Sequence, residues 1–137
     1  MTEKKITIKA TVLADKQKVW DYYTLPEHIT KWNFASPDWC CPSASNDLQV
    51  GGKYVARMEA KDGSFGFDFE VSYTEVNLGS SFTYTGMGRY FEVTLTAQGE
   101  ATLISICFDP ETQNPVELQQ QGWQAILNNF KSYTETH

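Results

Sequence analysis

The sequence predicts an α+β fold of the helix-grip kind. A curved antiparallel sheet wraps around one long C-terminal helix, and two short helices follow the first strand. Three observations predict it. Residues 115–133 place Trp123, Ile126, Leu127, Phe130 and Tyr133 at three- and four-residue spacing, which gathers them on one helix face. Gln119, Gln120, Gln121, Asn128 and Lys131 fall on the other faces. Residues 51–108 instead alternate apolar and polar side chains, and glycine-bearing turns interrupt them at short intervals. A helix with one apolar face must bury it, and a sheet is the only large apolar surface that the rest of the chain offers.

The elements follow in order. Ile6, Ile8, Ala10 and Val12 alternate with Thr7, Lys9 and Thr11, the pattern of a half-buried first strand. Asp15 is an N-cap for a short helix over 16–23, with Val19, Trp20 and Tyr23 on one face. Pro26 suits the first turn of a second short helix, where Ile29 and Trp32 form the buried side. Residues 33–46 hold two prolines and several small polar residues and read as a long loop. Gly51-Gly52 marks a bend or bulge before a strand carrying Tyr54, Ala56 and Met58 on its apolar side. Lys61-Asp62-Gly63 reads as a hairpin turn. Phe65, Phe67, Phe69, Val71 and Tyr73 follow in period two, and Glu75-Val76 breaks the phase, which predicts a bulge. Turns at Asn77-Leu78-Gly79-Ser80, Gly86-Met87-Gly88 and Gln98-Gly99-Glu100 separate three further strands.

Bulk properties exclude several classes. The 137 residues fit a single domain, 1–137, large enough to bury a core without disulfides or metal. The net charge of −6 argues against nucleic acid and anionic membrane surfaces, both of which select basic patches. No apolar run approaches a membrane span, and the opening MTEKKITIKA lacks a signal core, so no membrane insertion and a cytoplasmic location are expected. Three cysteines, two of them adjacent, do not make a disulfide framework and suit a reducing compartment.

The motifs resemble a known family. Lys18-Val19-Trp20, the run from Thr24 to Ile29 with Trp32, Asp47-Leu48-Gln49-Val50-Gly51-Gly52-Lys53-Tyr54, Lys61-Asp62-Gly63, Glu75-Val76, Gly99 with Thr102-Leu103, and Gly122-Trp123 with Leu127 carry the likeness. The chain resembles the SRPBCC superfamily, with its START and birch-pollen-allergen fold. Within that superfamily it is similar to stand-alone members of the heat-shock-protein-90 ATPase activator homologue family. Two departures stand out: Asn77-Leu78-Gly79 replaces the prolines frequent there, and Leu25 replaces the usual polar cap before Pro26. The resemblance implies a cavity for a hydrophobic small molecule. The family's co-chaperones carry a further N-terminal domain, so contact with a chaperone is possible but not favoured.

The candidate ligand site is an aromatic set: Tyr54, Met58, Phe67, Phe69, Tyr84, Phe91, Trp123 and Leu127, with Trp32 and Trp39 near a mouth. Each ring alone is ordinary core, and the set is the signal. Rings stack against flat ligands, and Tyr and Trp bring polar tips that need partners when buried. The expected partner is a small hydrophobic, aromatic or lipid-like molecule, and the expected state a monomer or weak dimer. No catalytic residue, metal ligand or cofactor is assigned. Cys40-Cys41, Cys107, His28 and His137 lack ligand spacing for zinc. Asp68 and Glu70 share the face opposite the phenylalanines, which is the solvent side. Arg57, Glu59 and Arg89 could reach a cavity mouth but read first as solvated strand residues. No glycine loop of the phosphate-cradling kind is present. A second reading, also implied by the superfamily, is a cyclase or dehydratase acting on aromatic polyketide-like compounds. Tyr54, Tyr84 or Glu59 would be its titratable group. The third reading, a chaperone-binding module, would call for an apolar outer sheet face.

Overall fold

A computed structural model describes residues 5–137, and Met1 to Lys4, the start of the MTEKKITIKA stretch, lie outside the described residues. The chain runs β1 (Ile6–Val12), α1 (Lys16–Thr24), α2 (Pro26–Trp32), β2 (Trp39–Asn46), β3 (Lys53–Ala60), β4 (Gly66–Asn77), β5 (Ser81–Gly86), β6 (Arg89–Gln98), β7 (Ala101–Phe108) and α3 (Val116–Thr136). The strands form one seven-stranded sheet in the order β1-β7-β6-β5-β4-β3-β2, and every neighbouring pair is antiparallel. The sheet curls, and its concave face holds the core against α3 and the two short helices. Local signals place the elements as the sequence implies. Asp15 accepts a hydrogen bond from the Lys18 amide at 2.8 Å and starts α1. Pro26 opens α2, and no side chain caps it at Leu25. The β4 bulge falls between Tyr73 and Glu75.

Four expectations need correction. Residues 39–46 are strand β2, not loop. Pro42 cannot donate to a ladder, and the β2–β3 register shifts between Cys40 and Ser43 to accommodate it, a device confined to edge strands. Phe65 sits in the β3–β4 turn, 60 % exposed, so the run of inward rings begins later than its period suggests. The alternation of β6 fades at Ala97, which is exposed. Gln119 is buried, because its amide closes the 109–115 connection: Oε1 accepts from the Glu111 amide at 2.8 Å, and Nε2 donates to the carbonyls of Glu111 and Asn114.

Both free sheet edges are managed. Along β1, the carbonyls of Lys9 and Thr11 accept from Gln124 at 3.0 Å and Lys131 at 2.8 Å, while the Leu13 amide donates to Glu135 at 2.8 Å. The polar flank of α3 therefore pairs groups that would otherwise template another strand. At the other edge, Asn46 donates to the Thr24 carbonyl at 2.7 Å and ties β2 to the end of α1. Gly52 is required by close approach: a Cβ there would lie 2.1 Å from the Asp47 carbonyl oxygen. Its amide and carbonyl join the 47–52 turn to Gln49 and Tyr73.

Candidate functional site

A partly open cavity of about 170 Å³ lies between the β3–β5 part of the sheet, α3 and the α1–α2 corner. Tyr23, Trp32, Asn33, Tyr54, Met58, Phe67, Phe69, Tyr84, Ile106, Trp123, Ile126 and Leu127 line it. The strand period explains the sheet's share. Tyr54 and Met58 face inward on β3, Phe67 and Phe69 on β4, Tyr84 on β5 and Ile106 on β7, each two residues from another inward side chain. Trp123, Ile126 and Leu127 are three and four apart on α3, so they present one stripe.

Eight of the ten sequence candidates line the cavity: Trp32, Tyr54, Met58, Phe67, Phe69, Tyr84, Trp123 and Leu127. Phe91 and Trp39 do not. Phe91, 1 % exposed, forms a second layer behind Phe69 and Trp123, with ring centroids 5.5 and 5.6 Å away. Trp39 packs edge-on against Phe65 and Phe67 outside the lining, at 6.0 and 6.5 Å. Trp32 is wall rather than mouth. It is 2 % exposed, stacks on Tyr23 at 4.9 Å, and donates from Nε1 to the Tyr22 carbonyl at 2.9 Å. Sequence reasoning missed Tyr23, Asn33, Ile106 and Ile126 as lining. Tyr23 and Ile126 were visible on apolar helix faces, and Ile106 on the inward phase of β7. Asn33 sits just past α2, where no periodicity reaches.

The polar groups of the lining are few. The Asn33 amide donates to the Tyr54 hydroxyl at 3.3 Å. The hydroxyls of Tyr23 and Tyr84 hydrogen-bond to no other described residue. Tyr73 instead donates to Asn46 Oδ1 at 2.7 Å, which spends its hydroxyl on the frame of the site. Burial pushes the phenols of Tyr23, Tyr54 and Tyr84 up, with a smaller push from neighbouring phenols, Tyr73 among them, so they stay protonated through the physiological range. No aspartate, glutamate, histidine, lysine, arginine or cysteine belongs to the lining.

The titratable suspects lie elsewhere. Glu59 pairs with Arg57 at 2.8 Å, and Arg57 reaches Asp68 at 3.5 Å, all on the outer face. Arg89 lies over the rings of Phe91 and Phe108 at 5.1 and 5.8 Å and donates from Nε to the Asp109 carbonyl at 3.1 Å, away from the cavity. Neither arginine nor Glu59 enters the cavity mouth. His28 stacks on Tyr22 at 3.9 Å and meets the Tyr133 hydroxyl at 2.8 Å, also outside the lining. Cys40, Cys41 and Cys107 are free thiols, and the adjacent pair lies on β2 rather than in a loop. Burial pushes the Cys41 thiol up to about 11, the opposite of an activated nucleophile. Among the described residues no group of three or more His, Cys, Asp or Glu gathers to hold a metal. Among the described residues no helix is long and apolar enough to cross a membrane.

The profile of the activator of Hsp90 ATPase homolog 1-like family matches residues 14–135. The chain belongs to that family. Its fold is of the SRPBCC type, and solved members share it. The chain is 38% identical to the AHSA1-like protein from Aeromonas hydrophila, with a TM-score of 0.91 over 97% of this chain and 93% of that one. It is 52% identical to a Cytophaga hutchinsonii protein, with a TM-score of 0.83 over 96% and 92% of the two chains. A Chromobacterium violaceum protein, 22% identical over 96% of each chain, shares the fold at a TM-score of 0.84. Among curated proteins none matches. A shared fold does not fix function, so in this member of the Hsp90 activator homolog-like family the cavity itself is the guide to it.

Proposed function

We propose that this protein binds a small hydrophobic or aromatic molecule in the cavity between sheet and α3. One observation carries the reading: a cavity of about 170 Å³ whose lining is aromatic and aliphatic apart from three phenols and one amide. A dry apolar cavity of about 150 Å³ accommodates one benzene ring. Drug-sized sites begin at about 300 Å³, so the ligand is about one ring in size unless the walls open. A larger hollow of about 530 Å³ between residues 34–37 and α3 is an open groove with lysine, serine and asparagine in its lining, unsuited to burial. Affinity would come from apolar contact with Phe69, Trp123 and Leu127, and orientation from the phenols.

The lining supports binding over chemistry. A cyclase or dehydratase needs a group that gives and takes a proton near neutral pH. Glu59 is on the outer face, and Tyr54 and Tyr84 are held protonated. The family's name speaks of Hsp90 ATPase activation, and a chaperone-binding role comes second here. The outward residues Asp68, Glu70, Ser72, Glu92, Thr94 and Thr96 are polar, which does not favour a protein partner on that face. Three free thiols suit action in the cytosol. Native mass spectrometry of protein from its own host, beside a denatured control, tests the reading. A small adduct lost on unfolding is the expected result. A chaperone copurifying in fixed ratio with no small-molecule adduct would overturn it.

A further inference from the structure

The phenols narrow the ligand class. Tyr84 is 4 % exposed and Tyr54 8 % exposed, and both line the cavity. Their rings lie nearly parallel with centroids 5.9 Å apart, and Phe69 meets both edge-on at 6.0 and 6.3 Å. The ring orientations are thus held by packing rather than by the hydroxyls. The Tyr54 oxygen accepts from Asn33, which leaves its own proton free to be donated. The Tyr84 and Tyr23 hydroxyls hydrogen-bond to no other described residue, and both belong to the lining. Three phenols therefore line one apolar chamber. An occupant that supplies an acceptor can pair with these hydroxyls, so it is favoured over one that cannot.

Charge decides the rest. A carboxylate could accept from the same hydroxyls, but no lysine, arginine or histidine lines the chamber to offset its desolvation. The nearby Arg57 is spent on Glu59 and Asp68 outside, and Arg89 lies over Phe91 and Phe108. Resting on the binding reading above, we propose that the cavity selects an uncharged ring compound bearing a hydrogen-bond-accepting oxygen, and that Tyr84 and Tyr54 are its specificity-determining residues. The ring lies against Phe69 and Trp123, and the oxygen accepts hydrogen bonds from the Tyr84 and Tyr54 hydroxyls.

Three single-ring probes isolate the two effects: toluene, benzamide and benzoate, titrated at neutral pH and followed by backbone-amide NMR shifts. Benzamide is expected to bind at least tenfold more tightly than benzoate. Tyr84→Phe should weaken benzamide at least tenfold and leave toluene within about twofold. Tyr54→Phe should act in the same direction, and both variants should melt as cooperatively as the parent, since phenylalanine keeps the ring packing. Benzoate binding as tightly as benzamide, or benzamide affinity unmoved in both variants, would overturn the selectivity while toluene binding kept the cavity reading intact. If none of the three probes shifts the lining resonances, the binding reading falls and this inference falls with it.

Discussion

The two halves of the concave face are built differently. On the β1–β7–β6 side the inward residues are mainly aliphatic: Ile6, Ile8, Val12, Val93, Leu95 and Ile104, all at most 4 % exposed, and only Ile106 reaches the chamber from this side. On the β3–β4–β5 side they are mainly aromatic: Tyr54, Phe69, Tyr73, Phe82 and Tyr84, with Met58 between. The first half is closed. Branched side chains interdigitate there, and α3 seals the β1 edge with hydrogen bonds. The second half leaves a chamber, because rigid rings touching edge-to-face cannot fill a curved space completely. One half serves mainly to hold the fold, and the other has room for a ligand.

Truncation should separate the halves most strongly. Ile104→Ala, at 0 % exposure in the closed half, should lose about 2–5 kcal/mol in a denaturant melt. Phe67→Ala, 40 % exposed at the cavity, should lose less than about 1 kcal/mol while altering probe binding. Equal losses would break the comparison. Enlargement comes next. Val93→Phe overpacks the closed half and should cost about 1–3 kcal/mol. Ile126→Phe grows into the chamber, so its cost should stay under about 1 kcal/mol, and it should block toluene in the same NMR titration.

Alkaline pH offers a third contrast. The folded phenols of Tyr54 and Tyr84 titrate well above their ordinary value, because burial penalises the phenolate. Below about pH 10 both folded and unfolded chains keep these protons, and the contribution is complete. Above it the unfolded chain loses them first, so stability falls as pH rises, by up to about 1.4 kcal/mol per pH unit for each tyrosine. Tyr84→Phe should flatten that slope in melts between about pH 10 and 11. The smallest effect belongs to the edge seal. Gln124→Ala and Lys131→Ala should each cost about 0.5–1 kcal/mol, and the double variant should self-associate more in light scattering, through the β1 edge.

Much of this was legible in the sequence, and the misses have physical causes. Periodicity located eight lining residues, since a side chain's face on a strand or helix is a local property. It could not distinguish Phe69, which meets the chamber, from Phe91, which shares its phase but lies one layer behind. β2 was illegible because its pairing depends on β3, while its own composition of Pro42 and small polar residues opposes strand. Gln119 looked exposed because its partners, Glu111 and Asn114, are supplied by a connection with no regular pattern.

By itself the sequence determined the α+β class, the gripped helix, the inward phase of β3 to β6, the Asp15 cap and the bulge after Tyr73. All depend on spacing within a short window, where backbone geometry alone assigns the face. Only the tertiary structure decided that β2 joins the sheet, that Asn33 meets the Tyr54 hydroxyl and Tyr23 joins Tyr84 in the lining, and that Glu59 and Arg57 stay outside. Above all it decided that a chamber of about 170 Å³ exists. A cavity is the difference between the volume a curled sheet encloses and the volume its side chains occupy, and that difference arises only when distant elements are brought together.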